Sequence, residues 1–123
     1  MDVVRKELLT DYGLRTLSAN DEHYKGTYAG PQEYRDAAYH QGTVWPYLMG
    51  AFVEAYLKVN NESRKSKDKA AEFIKPLLRQ LTDEGCLGSI SEIFDGDRPQ
   101  HPSGCFGQAW SVAEVLRAYQ LVS

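Results

Sequence analysis

Apolar residues recur every three or four positions along three stretches of the chain, and each stretch carries a different share of charge. Trp45, Leu48, Met49, Phe52, Val53, Tyr56 and Leu57 form one wide stripe, the spacing of a helix face. The positions between them hold Tyr47, Gly50, Ala51 and Ala55, and only Glu54 and Lys58 are charged before Asn60. A helix apolar nearly all round is buried on both sides, so this stretch predicts an inner helix. Thr43 is placed to cap it, and Pro46 suits a first turn, where its missing N–H costs nothing. From about Ser63 to Thr82 the stripe is Ala70, Phe73, Ile74, Leu77, Leu78 and Leu81, and lysines and acids take most other positions. That pattern predicts a one-sided outer helix. Pro76 should kink or break it, and Gly85 ends the segment. From about Gly107 to Leu121, Trp110, Ala113, Leu116 and Tyr119 or Gln120 share one side and Val112 and Val115 another, with only Glu114 and Arg117 charged. This predicts a second inner helix. A short helix is predicted over Asp2–Leu9, with Asp2 as its cap.

The intervals between these helices read differently. From about Gly13 to Thr43 there is no sustained period, but Tyr24, Tyr28, Tyr34 and Tyr39 fall there. A loop of that length in a compact domain is usually functional or disordered, and the tyrosines favour order. Gly88 to Phe94 alternates roughly and predicts a short extended piece. The order is outer helix, loop, inner helix, outer helix, loop, inner helix. Both polar, aromatic loops enter an inner helix at its N-terminus. This is the layout of an all-α toroid, whose inner-helix N-termini line one concave site, and about four helices of it are present.

Composition narrows the function. The chain has 123 residues, 42% hydrophobic and 25% charged, with a net charge of −3. That suits one soluble domain with a core, and it lacks the basic face that nucleic acids and anionic membranes require. No apolar run reaches the roughly 18 residues of a membrane span. The N-terminus, MDVVRKELLT, has no long apolar segment or small-residue cleavage site, so no signal peptide is expected. Cys86 and Cys105 are the two cysteines, too few for a secreted disulfide scaffold, which favours a reducing cytoplasm.

Two loops carry the chemistry. The first, SEIFDGDRPQHPSGCFGQAW, runs from Ser91 to Trp110. Glu92 sits among Ile90, Ile93 and Phe94, and a carboxylate with apolar neighbours can be held for proton work; the plain alternative is a solvated loop glutamate. Asp95-Gly96-Asp97 has part of a calcium loop but lacks its spaced acids and final glutamate, so a turn is the better reading. His101 and Cys105 lie close in sequence as a conceivable base and thiol, yet no element aligns them. His40, His101 and the acids show no metal-ligand spacing, so neither metal nor cofactor is expected. The second loop, RDAAYHQGTVWP, runs from Arg35 to Pro46. It mixes planar hydrogen-bonding side chains with aromatic faces, as hydroxyl-rich sugars require.

Three stretches together, LLTDYGLRTLS (Leu8–Ser18), YRDAAYHQGTVWPYLMGAFVEAY (Tyr34–Tyr56) and GSISEIFDGDRPQHPSGCFGQAWSVAEVLRAY (Gly88–Tyr119), resemble the C-terminal end of glycogen debranching enzymes, in particular their amylo-α-1,6-glucosidase domain. The resemblance covers nearly the whole chain and is weakest over Ala19–Glu33 and Asn60–Leu81. It implies an (α/α)6 barrel of which residues 1–123 are one partial domain, the C-terminal portion. It implies hydrolysis of the α-1,6-linked glucose stub at a branch point, with glycogen or a branched glucan as partner. Two carboxylates, about 6.5–9.5 Å apart in an inverting enzyme, share the reaction. Glu92 matches the base in the SEIFDG motif. The acid belongs to an earlier inner helix, upstream of this chain, so the chain alone is expected to be inactive. The resemblance places substrate contacts at Tyr39, His40, Gln41, Trp45, Asp95 and Trp110, with Gly42 and Gly104 permitting close backbone approach. Two other readings stand beside it: a non-catalytic sugar-binding or assembly module, and another toroid hydrolase of glucoamylase or trehalase type. Inner helices without neighbours leave apolar edges open, which predicts a homo-oligomer.

Overall fold

The computed structural model describes residues 1–83 and 85–123. In chain order the elements are α1 (Asp2–Glu7), β1 (Leu14–Arg15), α2 (Gln32–Ala38), β2 (Val44–Trp45), α3 (Leu48–Val59), α4 (Arg64–Asp83), β3 (Ile93–Phe94), β4 (Pro102–Ser103) and α5 (Ala109–Val122). The fold is mostly helical, with a small antiparallel sheet of which the pattern announced only the extended piece that ends at Phe94, now β3. The sheet is ordered β1-β2-β3-β4. α2 also lies inside the stretch expected to be irregular.

The core forms where α5 packs against α3 and α4 and α3 meets α4. Met49, Phe52, Val53 and Leu57 from α3, Ala70, Ile74 and Leu77 from α4, and Val115, Ala118 and Val122 from α5 are buried together. Each large apolar side chain so covered contributes about 1.5–3 kcal/mol relative to exposure. The rings of Phe52, Tyr56 and Phe73 close one end, with Tyr56 and Phe73 edge to face at 5.2 Å. α4 is one-sided, as its pattern predicts. It runs on past Pro76 to Asp83, because Ile74, Leu77 and Gln80 are buried on both sides of the proline and hold the helix to its neighbours. α5 departs from the expectation. One side is buried, but Trp110, Leu116 and Tyr119 on the other are 47%, 55% and 50% exposed. α3 and α4 cover only one side of it, and the described elements close no ring.

The sheet ties the loops to this core. β2 sits between β1 and β3, with Leu14 opposite Trp45 and Val44 opposite Phe94. Phe94 is fully buried and stacks on Tyr12 at 4.5 Å. A Cβ at Gly13 would lie 2.6 Å from the Trp45 carbonyl oxygen, so only glycine fits where β1 passes β2. Pairing in β2 also explains the capping that differs. Val44 and Trp45 are drawn into the sheet, α3 begins at Leu48, and its N-cap residue Tyr47 makes no side-chain cap. Thr43 instead turns back, its hydroxyl donating to the Ala38 carbonyl at 2.9 Å. Asp2 likewise lies inside α1, behind Met1, with no side-chain cap.

Candidate active site

Glu92 precedes β3 and is fixed by the β3–β4 hairpin. Its N–H donates to the Cys105 carbonyl at 2.8 Å, and the Cys105 N–H returns a bond to Glu92 Oε2 at 2.7 Å. Gly104 makes this possible. Its φ is +72°, and a Cβ there would stand 2.6 Å from Glu92 Oε2. The close approach that Gly104 permits is therefore to the glutamate. The other oxygen, Oε1, accepts the Tyr39 hydroxyl. Glu92 is half-buried, so the carboxylate stays reachable while both oxygens are held.

Tyr39 comes from the far loop, at the C-cap of α2. Its N–H donates to Arg35 at 3.0 Å, and its carbonyl accepts Trp45 Nε1 at 3.0 Å. The turn behind it is closed by the Gln41 N–H on the Ala38 carbonyl, also at 3.0 Å. At Gly42 φ is +140° and a Cβ would meet the Lys25 carbonyl oxygen at 2.4 Å, so the chain crosses its neighbour closely there. Burial first, and then the hydrogen bond and charge of Glu92, hold the Tyr39 phenol well above the usual tyrosine range. It keeps its proton and remains a donor.

Around this pair lies a continuous aromatic cluster. Tyr39 meets Tyr28 at 5.8 Å, His40 at 4.8 Å and Trp45 at 4.8 Å. His40 lies parallel to Trp45, and Tyr47 stacks on Trp110 with centroids 4.6 Å apart. Trp45 touches both groups. The residues singled out from sequence occupy different positions. Tyr39, His40, Trp45 and Trp110 join one cluster with Glu92 at its edge. His40 and Gln41 are exposed. Trp45 is buried at 5% exposure and organises the cluster. Asp95 is buried too: its carboxylate accepts the Tyr28 N–H at 2.7 Å and its carbonyl accepts Gln100, which sets Tyr28 beside Tyr39. Tyr28, Tyr47 and the Cys105 backbone were not singled out. Only the excess of tyrosines hinted at the first two, and nothing local marks a backbone N–H.

A cleft of about 530 Å³, lined by Tyr56, Asn60, Lys69 and Glu72 among others, opens at the far end of α3 from this cluster. Among the described residues no group of three or more His, Cys, Asp and Glu could hold a metal ion. None of the described helices is long and apolar enough to cross a membrane.

Residues 1–117 match the amylo-alpha-1,6-glucosidase family. The chain belongs to that family. It is a family of glycoside hydrolases connected with glycogen debranching, and the match spans both loops, the sheet and most of α5.

Proposed function

We propose that this chain supplies the general base and part of the sugar-binding face of a glucosidase that cleaves α-1,6-linked glucose from glycogen-like glucans. The observation that carries the reading is the half-buried Glu92 carboxylate, held by the Tyr39 hydroxyl and the Cys105 N–H in a chain that belongs to the family. Glu92 would take a proton from water attacking the anomeric carbon, on the face opposite the bond that breaks. A carboxylic acid from an upstream inner helix would protonate the departing glycosidic oxygen. Exposed His40, Gln41 and Trp110 would contact sugar, with Trp45 and Asp95 supporting them. In this reading residues 1–123 are the C-terminal portion of an (α/α)6 toroid. We assign the chain to the cytoplasm, in keeping with the unpaired Cys86 and Cys105.

The test is glucose release from a branched limit dextrin. The chain alone should release none above background. In the complete glucosidase domain, Glu92→Gln should lower the rate by about 10²–10⁴-fold, the scale of one general acid–base group. An undiminished rate in that variant would remove Glu92 from the reaction.

A second reading, a sugar-binding module without catalysis, is favoured by one observation. Asp95, the nearest further acid in the motif, is buried and already engaged by the Tyr28 N–H. Binding of a branched dextrin with no loss of glucose release in the Gln variant would select this reading.

A further inference from the structure

We propose that Tyr39 is the positioning residue of Glu92, acting through its hydroxyl rather than as a sugar-stacking ring. The inference rests on the reading of Glu92 as the base and gives Tyr39 a different task from the substrate contact its sequence position suggests. Tyr39 is enclosed on several sides. Tyr28, His40 and Trp45 surround its ring at centroid distances of 5.8, 4.8 and 4.8 Å. Its backbone is pinned by bonds to Arg35 and from Trp45 Nε1. A ring so crowded has little face to offer a sugar, whereas its hydroxyl is spent on Glu92 Oε1.

The division of donors gives this contact its purpose. A carboxylate has about four lone-pair sites. Tyr39 takes one on Oε1, and the Cys105 N–H takes one on Oε2. The other site on each oxygen remains for a water or a sugar hydroxyl. The two donors come from segments far apart in sequence, the α2 turn and Cys105, the second residue after β4, so the carboxylate is fixed across the junction of both loops. The raised phenol keeps Tyr39 protonated, which secures it as a donor and makes it a poor candidate for the missing acid.

Two measurements on the intact chain test this. The first is side-chain order at Glu92 by ¹³C relaxation. Tyr39→Phe keeps the ring and removes only the hydroxyl. It should loosen the Glu92 side chain while the amide signals of Ile93, Phe94 and Trp45 stay in place. An equally ordered Glu92 in that variant would overturn the proposal. Loss of the Ile93 and Phe94 signals as well would also overturn it, by showing that the hydroxyl maintains the sheet and not the carboxylate alone. The second is binding of 1-deoxynojirimycin, a glucose-shaped amine. Tyr39→Phe should weaken it about tenfold, the scale of one hydrogen bond to a charged group. If the order at Glu92 falls but the unmodified chain binds no iminosugar, the positioning contact stands and the glucosidase reading fails.

Discussion

At the scale of single residues, two glycines with the same backbone demand separate the cost of conformation from the cost of contact. Gly88 and Gly104 have φ of +81° and +72°; nothing lies within 4 Å of a Cβ at Gly88, whereas one at Gly104 would meet Glu92. Gly88→Ala should cost about 1 kcal/mol of stability from the left-handed backbone alone. Gly104→Ala should cost about 1–3 kcal/mol more and displace Glu92. Urea unfolding of both variants measures the difference, and equal losses would show that Glu92 is not packed on Gly104. Alkaline pH offers a second check. The Tyr39 phenol is raised in the folded chain, while in the unfolded chain it ionises near pH 10. The folded state therefore holds its proton longer, the full stability is present below about pH 10, and stability falls as pH rises beyond it. Tyr39→Phe should make that fall shallower in unfolding at pH 9–11, though not abolish it, since burial and Asp97 raise Tyr24 as well. The local sequence left Glu92 open, since an acid among Ile90, Ile93 and Phe94 reads equally as a solvated loop glutamate, and only the resemblance through SEIFDG singled it out. The donors that hold it were not legible, because one is a backbone N–H and the other lies 53 positions away.

At the scale of elements, the long helices were legible and the short ones were not, for the same reason. α3 and α4 carry several buried residues each on one face, and that repetition is what periodicity detects. α2 buries only Ala38, so QEYRDAA has no stripe to read. The strands are two residues each; their pairing is decided by partners such as Val44 and Phe94, which no local pattern joins. Pro76 shows local preference losing to packing. The proline removes one N–H from the α4 ladder, yet α4 is continuous. Pro76→Ala should restore that bond. The gain, up to about 3 kcal/mol for a helix interior, is offset by about 1 kcal/mol from the freer unfolded chain. A net stabilisation of about 2 kcal/mol should appear as a higher Tm in calorimetry. A lower Tm would mean that the proline ring itself fills a packing role.

At the scale of the whole molecule, the open side of α5 shapes the proposal of self-association. Leu116 and Tyr119 are exposed on it, and with Leu78, Leu81 and Val112 they line an apolar groove of about 180 Å³. One face thus offers both ridge and groove, which a symmetric contact uses twice. We propose a second copy of the chain as occupant. Light scattering should show a dimer that Leu116→Lys converts to a folded monomer; a monomer at high concentration without the substitution would refute it. The proposed site is decided by where a branched glucan meets the chain. Amide chemical-shift mapping during titration with a dextrin bearing a single α-1,6-linked glucose measures this most directly. The account predicts shifts gathered at residues 39–41, 92 and 104–110, weakened in Glu92→Gln, with residues 56–72 unmoved. Shifts confined to the cleft between α3 and α4, or none in the Glu92 loop, would contradict it.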